Sequence, residues 1–336
     1  MSTYLLQLLA MLLVILVAAE GFTNALEHLG ARLRISEGVT GSLFAAVGTA
    51  LPETMVPVLA IVAGSHDTAL NEEIGVGSIL GAPLMLSTLS TGLMALAVLG
   101  RRGLAGRIQP EPKGLNRDLH FFIAAFVLAA AAMFVPQSLR GPRYLLSMTL
   151  VVIYLLYIVL TMRASKGLVE DGHGTVAENR MFAARLGLPV NLVTILAQLA
   201  AALALLVFGA KGFINGVQGV SQMLHVSALL LSLLIIPIAT ELPEKVNSIL
   251  WVRRGKDTMA FGNITGAMVF QGTLLPAIGI LLTPWEPRIE VLTGVLVTLA
   301  AAIWVRLHVR PNGVAVWALL VNAALYVTYL VITLRR

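Results

Sequence analysis

Apolar runs of about twenty residues recur along the whole chain, broken by short polar loops. Runs of that length suit helices crossing a bilayer, whereas outer-membrane strands alternate over roughly ten residues. The pattern predicts spans at 4–27, 37–63, 74–99, 119–136, 143–162, 189–222, 228–251, 258–283, 288–306 and 312–333. The sixth run is the longest and has room for an interfacial turn. The most polar stretch, Arg163 to Arg185, carries Lys166, Glu170, Asp171, His173 and Glu178 and divides the spans into two groups of five. The expected organisation is therefore a first half at 1–163, a linker at 164–186 and a second half at 187–336.

Composition agrees with that pattern. Of 336 residues, 58% are hydrophobic and 12% charged, where a soluble domain carries about a quarter charged. The fold class is an all-α membrane protein with ten transmembrane helices. Met1 to Leu16 has no basic region ahead of its apolar run and no small-residue cleavage site after it, so it reads as a span, not a signal peptide. With no cysteine in the chain, a disulfide, a thiolate metal site and a cysteine nucleophile are excluded.

The formal net charge of +6 reads as topological anchoring, with no nucleic-acid partner. The loops after spans one, three, five, seven and nine hold 16 of the 23 Lys and Arg residues; the opposite side holds Arg140, Arg143, Arg288, Arg335 and Arg336. Lys211 and Lys245 fall within spans. The positive-inside rule then places the linker in the cytoplasm and both termini outside, in a multi-pass protein of the cell membrane. An odd number of spans per half turns the second half upside down, which makes two inverted-topology five-helix repeats.

The halves match in sequence. At an offset of 191, Gly21, Phe22, Asn24, Leu33 and Ser36 meet Gly212, Phe213, Asn215, Leu224 and Ser227. Thr49, Leu51, Pro52 and Glu53 meet Thr240, Leu242, Pro243 and Glu244. After one six-residue insertion, Gly77-Ser78-Ile79-Leu80-Gly81-Ala82 meets Gly262-Asn263-Ile264-Thr265-Gly266-Ala267.

A carboxylate inside a span is costly and marks function by default. Proline lacks an N–H, so Pro52 frees the carbonyl of Gly48 and Pro243 that of Ala239. Thr49 and Glu53, like Thr240 and Glu244, share a helix face at a spacing of four. Each half thus offers a carboxylate, a hydroxyl and loosened carbonyls, the hard oxygen ligands that Na+ and Ca2+ prefer. Inverted repeats bring such elements together near the midplane. Gly77, Gly81, Gly262 and Gly266 have the Gly-x-x-x-Gly spacing that lets helices approach closely.

These two segments resemble the alpha repeats of the sodium/calcium exchanger superfamily, whose signature is Gly-Thr-Ser-x-Pro-Glu followed by Gly-Asn-x-x-Gly-Ser-Asn. The resemblance implies a secondary active antiporter of Ca2+ or a related cation against Na+ or H+, without an organic cofactor; its partners are inorganic cations and the lipid bilayer. It implies Glu53 and Glu244 as cation ligands, Thr49 and Thr240 as helpers, backbone carbonyls from Ala46 and Pro237, and spans one and six as gating helices. Asn263 and Gln271 retain polar positions of the later motif, whereas Ser78, Ala82, Leu86 and Ala267 depart from it. The serine after threonine is replaced by Ala50 in one copy and by Glu241 in the other.

Glu53, Glu241 and Glu244 cannot all ionise cheaply at low dielectric. Proton coupling therefore competes with sodium coupling. Lys245, four residues after Glu241, is within ion-pair reach and would withdraw Glu241 from the ion path; a functional role for Glu241 stands equally. Glu20 and Lys211 occupy matching places in spans one and six, as gating groups or structural pairs. Asn24 and Asn215 read as helix-packing residues, and Asp67, Glu72 and Glu73 as an acidic external loop. No Gly-x-Ser-x-Gly, His-Glu-x-x-His or phosphate loop points to an enzyme. The alternative to transport is a scaffold or sensor that keeps the fold without moving ions.

Overall fold

The computed structural model describes residues 2–32, 51–63, 67–169, 180–224 and 227–334. Its helices are α1 (Ser2–Arg32), α2 (Leu51–Ala63), α3 (Thr68–Met85), α4 (Thr91–Arg102), α5 (Pro112–Ala132), α6 (Arg140–Val169), α7 (Phe182–Arg185), α8 (Leu192–Leu224), α9 (Ala228–Thr240), α10 (Leu242–Arg253), α11 (Asp257–Leu282), α12 (Ile289–His308) and α13 (Val316–Leu334). Among the described residues, eight helical stretches are long and apolar enough to cross a membrane. They correspond to eight of the ten predicted spans. The two that fall short carry the proline-glutamate motifs. Span two lies partly outside the described residues, and span seven is divided into α9 and α10. In the sixth run α8 is one unbroken helix of 33 residues, and the residues of the run ahead of it turn, with Asn191 N on Pro189 O at 3.1 Å.

Helices α3 and α4 form one stretch, Thr68–Arg102, joined by a π-helical turn at Leu86–Ser90. The local sequence explains the widened turn. Pro83 lacks an amide donor, and the hydroxyls of Ser87, Thr88 and Thr91 bond back to carbonyls of the preceding turn. Such back-bonding loosens the helical ladder. The carbonyl of Ser87 is taken up by Asn322 Nδ2 of α13 at 2.7 Å.

The chain packs as two compact units, Met1–Asn71 with Leu156–Val226 and Glu72–Leu155 with Ser227–Arg336, so each draws on both halves of the sequence. In the first unit α1 and α8 run antiparallel. Tyr4, Leu8, Met11 and Ile15 lie over Gly219, Gly216, Gly212 and Gly209 respectively. Asn24, buried, accepts from Phe182 N at 3.0 Å and Gln198 Nε2 at 3.1 Å. That matches its reading as a packing residue; Asn215 is exposed. The outer faces of α1 and α8 show Leu6, Leu9, Leu13, Val193, Leu203 and Phe208, apolar surface suited to lipid.

In the second unit, α11 is the innermost long helix, with 78% of its most apolar window buried, against 39% for α12 and for α13. It packs on α5 through Gly272 under Phe122 and through Thr265 Oγ1 donating to buried Asp118 at 2.7 Å. One end of this unit joins the loops predicted to be cytoplasmic. Arg102 grips Asp257 with both terminal nitrogens (2.7 and 2.8 Å), and strands β1 (Arg107–Ile108) and β2 (Val314–Ala315) pair antiparallel. The other end holds Arg143, which donates to the carbonyls of Ile280, Thr283 and Pro284. There too Arg288 pairs with Glu73 at 2.6 Å; Glu72 and Glu73, expected in a loop, lie in the first turns of α3, and Asp67 just ahead of it caps Leu70 N at 3.1 Å.

Candidate functional site

Span seven is interrupted halfway. Thirteen residues of α9 precede Glu241 and twelve of α10 follow it, about 20 Å of helix on either side. Glu241 itself has φ −93° and ψ 13°, outside the helical well. Its N–H still donates to Pro237 O (3.2 Å), and its carbonyl accepts from Lys245 N (3.1 Å). Pro243 can make no such bond, having no N–H to offer Ala239. The chain therefore bends two residues before the proline. The C-terminal end of α9 and the N-terminal end of α10 meet at one place, and their dipoles favour a cation and a carboxylate there respectively.

The candidate residues gather around that bend. Glu244 sits in the first turn of α10 and is 1% exposed. Thr240, fully buried, donates its hydroxyl to Ile236 O at 3.0 Å, which leaves the oxygen lone pairs to accept. Gln271 of α11, also fully buried, donates from Nε2 to Glu241 Oε1 at 3.4 Å. Asn263 uses its Nδ2 to hold Glu244 O at 3.0 Å and Ser248 Oγ at 2.9 Å. The carbonyl of Pro237 accepts from Lys245 Nζ at 2.9 Å, and the same ammonium is 3.4 Å from Glu241 Oε2. The ion pair expected from the sequence is thus formed.

Helix α3 is brought hard against α9 by its glycines. A Cβ at Gly77 would lie 2.6 Å from Ser232 Cβ, and one at Gly81 would run into Leu233 O and sit 2.7 Å from Pro237 Cγ. Leu233 O is the carbonyl that Pro237 leaves without its helical donor, so the close approach of Gly81 covers it. Gly262 does not repeat this: among the described residues nothing lies within 4 Å of a Cβ there. Ser78, the counterpart of Asn263, turns its hydroxyl into its own helix onto Ile74 O (2.7 Å).

Of the first copy, Glu53 is described, in the first turn of α2 and 2% exposed. Thr49 and Ala46 lie outside the described residues. Glu20 and Lys211 are both exposed. Sequence reasoning missed Ser248, which is fully buried. Its signal was present: Thr240, Glu244 and Ser248 continue one stripe at a spacing of four.

Known proteins share both sequence and fold. The family model described as sodium/calcium exchanger protein matches residues 3–163 and 194–335. The inner membrane protein YrbG of Escherichia coli (strain K12) is 27% identical over 279 residues, covering 82% of this chain and 78% of YrbG. The crystal structure of the H+/Ca2+ exchanger CAX superposes with a TM-score of 0.71 at 20% identity, over 98% of this chain and 82% of that one. The sodium-calcium exchanger NCX_Mj superposes with a TM-score of 0.61 at 18% identity, over 98% of each chain.

Proposed function

The chain belongs to the sodium/calcium exchanger protein family, and from that premise we propose that it is a secondary active antiporter exchanging Ca2+, or a related cation, against Na+ or H+ by alternating access. The observation that carries this reading is Glu244: a carboxylate buried in the first turn of a half-helix that begins midway along a span. An ionisable group at that depth marks a functional site by default, and holding a cation or a proton is a role such groups serve. The duplicated motif gives buried Glu53 the same task, with Thr49 and Thr240 as hydroxyl helpers and Ala46 as a carbonyl donor.

The chemistry is exchange of hydration oxygens for protein oxygens. Glu53 and Glu244 supply the charge, and the hydroxyl of Thr240 and the amide of Gln271 add neutral polar groups. Coupling follows from competition, because an ion that neutralises the carboxylates excludes the next one until it leaves. The two repeats, opposed in the bilayer, open the site to alternate sides, with the ions bound at mid-membrane depth.

Proteoliposomes with Ca2+ inside and sodium and proton gradients imposed separately test this. Wild type is expected to release Ca2+ down one of the gradients, and Glu244→Gln to slow that flux about 100-fold, the loss of a buried charged ligand. Full exchange by the Glu53→Gln, Glu244→Gln double variant ends the proposal. Release driven by sodium but indifferent to pH excludes the proton version, and the converse excludes sodium.

A further inference from the structure

The two copies differ by a matched pair of charges. Glu241 and Lys245 stand where the first copy has Ala50 and Thr54. A carboxylate and an ammonium four residues apart are thus present in one copy and absent from the other. Both are deep in the protein, Glu241 fully buried and Lys245 5% exposed.

The direction of the lysine matters. Side chains on a helix lean toward its N-terminus, and Lys245 reaches back across the bend to Pro237 O, eight residues earlier. Its Nζ is 2.9 Å from that carbonyl and 3.4 Å from Glu241 Oε2, while Gln271 Nε2 meets the other carboxylate oxygen. A lysine near a span end would carry its charge out to the interface; this one ends on a carbonyl of a buried residue in the last turn of α9, Pro237 O, which Glu241 N also meets. Carbonyls of that kind, with a carboxylate, are what discontinuous spans offer to a bound monovalent cation.

We infer that the Lys245 ammonium is a tethered cation that permanently fills one ion position of the site, leaving Glu53 and Glu244 to take the transported ion. The inference rests on reading those carboxylates as the transport site. It specifies the cargo: charge equal to one divalent cation per cycle, with no separate alkali-metal ion at Glu241.

Removing the tether opens a vacancy of defined chemistry. Purified full-length Lys245→Met in detergent is compared in sodium chloride and in choline chloride at equal ionic strength, with wild type alongside. The variant is expected to gain about 5 °C or more in melting temperature in roughly 150 mM sodium over choline, beyond any shift in wild type. Glu241→Gln with Lys245→Met has no vacancy and is expected to lose that extra shift. A Lys245→Met protein with no extra sodium response overturns the inference. So does one that is unfolded in sodium as well as in choline, because sodium should refill the position. Persistence of the extra shift in the double variant overturns it too. The readout needs no transport, so a wild type without cation flux defeats the antiport reading and leaves this test standing.

Discussion

Glu244 is held by its backbone as well as carried by its helix. Asn263 donates to the Glu244 carbonyl and to Ser248, so one amide fixes the first turn of α10 against α11. Asn263→Ala removes both bonds and is expected to lower unfolding free energy by about 1–2 kcal/mol, measured by denaturant titration in detergent, with weaker Ca2+ binding by calorimetry. Ser248→Ala leaves the Glu244 bond in place and should have the smaller effect on binding. The repeat is not symmetric at this level. Ser78, at the equivalent place, is satisfied within its own helix, so the first copy lacks this brace.

Between elements, the decisive contact is α3 on α9. A methyl group at Gly81 would meet Leu233 O, Leu233 C and Pro237 Cγ, two of them backbone atoms that cannot swing aside. Gly81→Ala is expected to destabilise the protein by about 2 kcal/mol and to slow exchange, because the helix it displaces carries Pro237 and Thr240. Gly262→Ala meets nothing among the described residues and should be neutral or stabilising by up to about 1 kcal/mol through helix propensity. Thermal unfolding of the two variants, side by side, checks both. The sequence treated these glycines alike, because spacing reports which face they share and not which neighbour arrives there. Proline and glutamate were legible as a disruption of span seven, since a missing N–H acts locally. The site of the bend, at Glu241 and not at Pro243, and the π turn at Leu86–Ser90 were not legible. The hydroxyls that loosen the π turn are local, but the group that takes up its Ser87 carbonyl is Asn322 of distant α13, and Lys245 reaches back past Glu241 to a carbonyl eight residues away. Ten apolar runs were countable; that one of them would be two half-helices was only implied.

On the scale of the molecule, the contacts of the second unit join loops that the charge pattern assigns to the same side. Arg102, Asp257, β1 and β2 form one set of contacts, and Arg143 of α6 with Pro284, and Glu73 of α3 with Arg288, form another. Asp257 also accepts from Gln109 N at 2.7 Å, so Asp257→Asn disturbs three charge-assisted bonds and should cost about 2–3 kcal/mol in thermal or denaturant unfolding. Orientation is testable without background, because the chain has no cysteine. Cysteines replacing exposed Lys113, Lys256 or Arg310 should resist an impermeant maleimide in intact cells, and those replacing exposed Gln137 or Glu286 should react. The long pair α1 and α8 carries a different consequence. Four side chains ride on four glycines spaced three, four and three apart. A slip of one helical turn, about 5.4 Å, in either direction sets three of the four on a glycine again. The seam is a vernier with repeated notches: packing alone scarcely chooses among them. Gln7 Nε2 on Gly212 O at 2.9 Å and Gln198 Nε2 on Gly21 O at 2.9 Å act as the detents that select the notch now occupied.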